Sequence, residues 1–205
     1  MPPPIEFWFD YSSNYSYLSV MRIDDAAARS GVTVQWKPFL LGPIFRSFGM
    51  AGPSALVRPP MAEYIWKDIA RQAAKYLLPL ARPSTFPRSA VLPLRVALLG
   101  AEQPWISEFS KRIMLLNFAR DMAIDDSAVV SQVLHDLGLP AAEIIEQATT
   151  AANKLALREQ TEAARLRGIF GAPTFFVGEE MFWGNDRLDD ALEFAAFTAL
   201  RHEAS

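Results

Sequence analysis

Apolar positions change their rhythm along this chain, and each change marks an element. Ile5-Glu6-Phe7-Trp8-Phe9 is a short apolar run that reads as a buried strand, and it breaks at Asp10 and the paired Ser12-Ser13. Over residues 14–29 the apolar side chains Leu18, Met21, Ile23 and Ala27 predict one amphipathic helix, which Ser30-Gly31 ends. Residues 32–39 alternate Val32, Val34 and Trp36 against Thr33, Gln35 and Lys37, a half-buried strand that Pro38 helps to close. Strand, helix and strand in forty residues predict a parallel pair with a right-handed crossover. Residues 40–60 hold Gly42, Pro43, Gly49, Gly52, Pro53, Pro59 and Pro60 and read as a loop.

From residue 61 to about residue 167 the period is helical. Ile65, Ile69, Ala73 and Leu77 share one face of a first helix, which Leu78-Pro79 stops, and Pro83 and Pro87 keep the next stretch irregular. Helices follow over residues 89–99, 105–122, 126–137, 141–150 and 152–167, with acidic residues opening the third of these and Gly138 after it. None repeats as a heptad, and no segment recurs at a fixed period. The last forty residues return to strands: a turn at residues 168–173, Thr174-Phe175-Phe176-Val177, a hairpin turn at residues 178–180, Met181-Phe182-Trp183, and a final helix toward Leu200. The pattern is α/β, a β-α-β unit and a β-β-α unit separated by an all-α block.

At 205 residues, 51% of them hydrophobic and 21% charged, the chain is long and apolar enough for a substantial core. A net charge of −3 with no basic cluster argues against a nucleic-acid partner. No stretch has the apolar length of a membrane span, and Met1-Pro2-Pro3-Pro4 leads straight into the first strand with no secretory signal, so a cytoplasmic protein is expected. The absence of cysteine excludes disulfides, thiolate metal sites and any thiol chemistry carried by the chain itself, and no metal is expected. His135 and His202 fall on expected helices away from the one stretch with concentrated chemistry.

That stretch runs from Asp10 to Leu18. A strand that hands over to a helix leaves unpaired N–H groups and the positive end of a helix dipole at the junction, a setting that suits an anion. Ser13 would be a hydroxyl donor there, or Ser12 or Ser13 simply caps the helix. Asp10 reads as a buried partner for the turn in preference to a catalytic acid.

Phe9-Asp10-Tyr11-Ser12-Ser13-Asn14-Tyr15-Ser16-Tyr17-Leu18 resembles the F-D-x-x-S-P-Y-S-Y-L signature of the 2-hydroxychromene-2-carboxylate isomerases and kappa-class glutathione transferases. Residues 36–42 and 182–188 are also similar to that family, and Phe170-Gly171-Ala172-Pro173-Thr174 matches its F-G-x-P-T. The resemblance implies a thioredoxin-like fold with an inserted all-α subdomain, as in DsbA-type proteins: residues 1–60 with 168–205 form the thioredoxin-like domain, and residues 61–167 the insertion. Redox members of the wider fold place a Cys-x-x-Cys pair where Ser13 and Ser16 stand here, so the chemistry passes to an external thiol, which the resemblance implies is glutathione.

On that reading Ser13 is catalytic and donates to the glutathione sulfur, favouring the thiolate. Pro173 is expected to be the family's cis-proline facing Ser13, with the Ala172 backbone pairing with the tripeptide. Asn185, Asp186 and Arg187 would open the last helix, Asp186 accepting from the γ-glutamyl ammonium, and Asn185 or Asp186 can equally be an N-cap. Tyr15, Arg46 and Phe86 are the candidate contacts to the aromatic substrate. The family's proline is replaced by Asn14; its glutathione-binding Asn and Lys have no match in Gly49-Met50-Ala51-Gly52 and Met61, leaving Arg58 or Arg46 to supply the charge. The implied activity is glutathione-dependent cis–trans isomerisation in aromatic-compound catabolism. The alternatives are a kappa-class-like transferase and a non-catalytic binding protein on a degenerate thioredoxin-like fold. Apolar helix faces make a homodimer the expected assembly.

Overall fold

The computed structural model describes residues 2–50 and 59–203. Its sheet has four strands in the order β2-β1-β3-β4: β1 (Ile5–Phe9), β2 (Val34–Pro38), β3 (Thr174–Val177) and β4 (Glu180–Trp183). β1 runs parallel to β2, with Ile5 opposite Val34 and Phe9 opposite Pro38, and antiparallel to β3, with Trp8 opposite Thr174. β3 and β4 form the antiparallel hairpin expected from Gly178.

β1 is buried on both faces because its side chains alternate between two apolar layers. Ile5, Phe7 and Phe9 enter the main core; the Phe7 ring lies 5.0 Å from Phe9, 5.3 Å from Phe175 and 5.2 Å from Trp36. Trp8 faces a second layer built from Phe39, Leu41, Ile44, Ala164, Ile169 and Phe176. Glu6, the polar member of the run, shares the Trp8 face and is satisfied there: it accepts from the Trp8 indole N–H at 2.8 Å and pairs with Arg167, whose guanidinium lies 3.7 Å from the Phe176 ring centroid.

The helices are α1 (Asn14–Val20), α2 (Ile23–Ser30), α3 (Leu41–Ser47), α4 (Pro59–Lys75), α5 (Val91–Gly100), α6 (Ile106–Phe118), α7 (Ser127–Asp136), α8 (Ala141–Thr149), α9 (Ala151–Leu166) and α10 (Leu188–Glu203), the last preceded by a 3₁₀ turn at Asn185–Arg187. α4 through α9 occupy the interval between the two strand-bearing ends of the sequence. α6 packs on α1 and α5 on β2, so the helical block leans on the first β-α-β unit.

Three expectations need correcting. The single helix over residues 14–29 is two helices, broken at Met21-Arg22, where Arg22 turns toward the far end of the chain. The loop over residues 40–60 contains α3, because Gly42 and Pro43 lie in its first turn, where a proline costs no intrahelical hydrogen bond. For the same reason Pro59 and Pro60 begin α4 instead of ending the loop. Residues 51–58, including Arg58, lie outside the described residues. The end of α2 is as expected: Gly31 takes φ +64°, and its N–H reaches the Ala27 and Ala28 carbonyls.

Because Phe7 contacts three aromatic rings from three strands, Phe7→Ala should destabilise the protein by about 3–5 kcal/mol. The check is the urea unfolding midpoint with the slope unchanged; a loss under about 1 kcal/mol would mean the inner strand is not the keystone of the core.

Candidate functional site

β1 ends where Asp10 closes a tight turn. The Asp10 carboxylate is buried and takes three hydrogen bonds, from the Ser12 N–H and hydroxyl to Oδ1 and from the Leu41 N–H to Oδ2, each 2.8 Å. Burial pushes its pKa up from the ordinary carboxylate value, and the three donors pull against that rise. Asp10 therefore ties the β1–α1 turn to the start of α3, the buried-partner role expected of it.

Ser13 is the N-cap of α1, with extended backbone, and its Oγ accepts from the Ser16 N–H at 3.1 Å. The same hydroxyl donates to the Ala172 carbonyl at 2.8 Å, across 159 residues of sequence. The capping reading and the facing reading thus hold together. The Ala172–Pro173 peptide bond is cis, as expected, and Gly184 N–H donates to the Pro173 carbonyl at 3.0 Å, tying the turn to the end of β4. Gly171 is required here because the Trp183 indole lies against its Cα, and any side chain would collide with the ring. Phe170 stacks edge-on over Trp183 at 4.7 Å, leaving an aromatic pair half exposed beside the cis turn.

The other candidates fall into two groups. Asn185 is 3% exposed, and its Oδ1 accepts from the Ser19 hydroxyl and from Arg22, each at 3.2 Å. Asp186 beside it is exposed and pairs with Arg187 at 3.0 Å; Arg187 also binds Asp190 and is thereby held along α10. Tyr15 donates to Asp68 of α4 at 2.9 Å, and its pKa is raised by burial, by that hydrogen bond and by the negative charges of Asp68 and Asp186. Ser13, Ala172, Pro173 and Tyr15 thus gather at the start of α1, while Asn185 is bonded at its far end through Ser19 and Arg22, and Asp186 acts on Tyr15 by charge. Arg46 and Phe86 do not join them through any direct contact. Arg46 is exposed on α3 and makes no ion pair among the described residues. Phe86, before a second cis proline at Pro87, packs on Trp66 at 4.9 Å. Trp66 lies two residues from Asp68 on α4, so the two point to different sides of that helix. Met61, at the position expected for a lysine, is exposed.

Sequence reasoning missed Asp68, Arg22 and Asn117. Asn117 of α6 donates to the Tyr11 carbonyl at 3.0 Å, and Tyr11 shares a hydrogen bond with Ser110 at 2.8 Å, so α6 supports the turn from behind. A polar Ser110 and Asn117 on an otherwise apolar helix face were the available signal. Beneath the turn, Asn14 Nδ2, Ser16 Oγ and Asn117 Oδ1 are buried without partners. Among the described residues no group of acidic or histidine side chains could hold a metal, and no helix is long and apolar enough to cross a membrane.

Comparison with known proteins bears on the family and the fold. The model of the DSBA-like thioredoxin domain covers residues 4–195. A 2-hydroxychromene-2-carboxylate isomerase of Sphingobium xenophagum is 32% identical over 193 residues, 92% of this chain and 96% of the relative. A kappa 2 glutathione S-transferase of Caenorhabditis elegans is 25% identical over 207 residues, covering 94% of this chain and 91% of the relative. Among solved structures, a 2-hydroxychromene-2-carboxylate isomerase superposes with a TM-score of 0.85 at 27% identity, over 98% of this chain and 97% of that one.

One expected outcome concerns the Asp10 turn and another the α1 helix behind it. Asp10→Asn cannot accept from both the Ser12 and Leu41 sides, so one buried N–H loses its acceptor; a loss of about 1–3 kcal/mol is expected in urea unfolding, and none at all would contradict the tie. Tyr17 donates to the Pro79 carbonyl at 2.6 Å, and burial pushes its pKa up from 10.0 to about 12. The folded value lies above the unfolded one, so this contribution to stability is intact below pH 10.0 and is lost as pH rises to about 12. Tyr17→Phe should cost about 1 kcal/mol at neutral pH and flatten the decline of the unfolding midpoint across that window. An equally steep decline in the variant would remove Tyr17 as its source.

Proposed function

The chain belongs to the DsbA-like thioredoxin-domain family, among its 2-hydroxychromene-2-carboxylate isomerases and kappa-class glutathione transferases, and on that premise we propose a glutathione-dependent cis–trans isomerase. Its substrates are unsaturated aromatic α-keto acids of the 2-hydroxychromene-2-carboxylate type. The observation that carries the reading is the Ser13 hydroxyl, held at the start of α1 against the cis-Pro173 turn in a chain without cysteine.

The chemistry needs an anionic sulfur at neutral pH. Lowering a thiol pKa by about two units takes roughly 2.7 kcal/mol. A hydrogen bond to a charged partner supplies roughly 1.5–3 kcal/mol, and the helix end roughly 0.3–1 kcal/mol. Ser13 has one proton, which in the free protein goes to the Ala172 carbonyl. When the thiolate enters, the hydroxyl redirects that proton to sulfur while its lone pair still accepts from Ser16 N–H. The carbonyl it leaves is then open to an N–H of the bound tripeptide, so no buried acceptor is orphaned.

Bound glutathione would supply a thiolate that adds reversibly to the conjugated double bond, leaving a single bond free to rotate before the thiolate departs and the double bond is restored, with no net consumption of glutathione. The Ser13 hydroxyl would hold that sulfur anionic, and the Ala172 backbone with Asn185 and Asp186 would hold the tripeptide. Similarity to kappa-class glutathione transferases supports a second reading, in which the same thiolate would stay joined to the substrate and the conjugate would be released.

Ser13→Ala should slow isomerisation about ten- to a hundred-fold, the loss of one transition-state hydrogen bond. The measurement is stopped-flow absorbance of 2-hydroxychromene-2-carboxylate with glutathione and free thiol assayed before and after. Unchanged rates would remove Ser13 from the mechanism, and stoichiometric loss of thiol would favour the transferase.

A further inference from the structure

The break between α1 and α2 has no glycine or proline to explain it, and Arg22 stands at it. The arginine is the residue at the joint, and its guanidinium serves three distant elements. Nη1 donates to Asn185 Oδ1 at 3.2 Å, Nη2 pairs with Asp189 at 3.0 Å, and the guanidinium carbon lies 3.9 Å from the Tyr76 ring centroid. Only 16% of the Arg22 side chain is exposed.

The contact decides which way the Asn185 amide points. Arg22 can only donate, and Ser19, fully buried beneath it, donates to the same Oδ1. Reversing the amide would bring an NH₂ against the guanidinium, donor facing donor. Oδ1 is therefore fixed inward. Asn185 Nδ2 is turned the other way; it has no acceptor among the described residues, and it is not among the sealed, unpartnered atoms such as Asn14 Nδ2. A nearly buried amide held with its donors free suits a carboxylate.

We propose that Arg22 is a positioning residue for carboxylate recognition. It sets the Asn185 amide as a donor for the γ-glutamyl carboxylate of glutathione, beside Asp186, and does not touch the ligand. This rests on the glutathione reading above. Arg22→Met should weaken glutathione binding about five- to ten-fold by calorimetry, with the rate at saturating glutathione unchanged within about two-fold. Arg22→Lys, which keeps a donor, should recover part of the affinity. Because Arg22 acts through Asn185, adding Asn185→Ala to Arg22→Met should cost little more than either change alone.

Wild-type affinity in Arg22→Met, or losses that add fully in the double variant, would overturn the proposal while leaving glutathione use intact. A wild-type protein that binds no glutathione overturns both readings together. If Arg22→Met does not fold, Ser19→Ala removes the second donor and should raise the dissociation constant in the same sense; an unchanged constant there counts against the proposal.

Discussion

The double pairing of β1 is the constraint on which the rest of the molecule depends. Five residues hold β2 on one side and β3 on the other, so the beginning of the chain is locked to a hairpin formed near its end. Burial on both faces makes the register costly to slip, since a shift of one residue would move Phe7 and Phe9 out of the main core and Trp8 into it. With the register set, Asp10 lies against Leu41, Ser13 lies against Ala172, and the first turn of α1 faces the cis turn before β3. The position of the candidate nucleophile-activating hydroxyl is a consequence of sheet pairing more than of any local motif.

Much of this was legible in the sequence because the informative patterns are local. Thr174–Val177 is a β-rich apolar run bounded by turn residues, and β3 occupies those four positions. Ser13 follows a strand and precedes an amphipathic stretch, and it is the cap. Where reading failed, the deciding interaction was remote or the local signal ambiguous. At the joint between α1 and α2, Arg22 bonds Asn185 and Asp189, 163 and 167 residues onward, contacts that no local pattern announces. Gly42-Pro43 signals a loop in isolation, yet both residues suit the first turn of a helix once Leu41 N–H is bound by Asp10. Asp68 gave no signal because its role depends on α4 crossing α1.

The surroundings of α1 are less satisfied than the core around them. Three buried polar atoms without partners lie on or beside it, each of a kind that costs about 1–3 kcal/mol when left unbonded. The other such atoms among the described residues are Nε of Arg88 and of Arg95, in the helical block. Asn14, which stands where relatives by resemblance carry proline, contributes one of the three.

The hydrogen bond between Ser13 and Ala172 joins residues 159 apart in the sequence. During synthesis the first strand, its aromatic faces bare, emerges long before the segment that completes its sheet, and the helices between are made in the interval. The sheet is therefore half-built until β3 and β4 are made. Until β3 is made, β1 can pair only with β2, and its other edge keeps a row of unpaired backbone groups open to any passing strand.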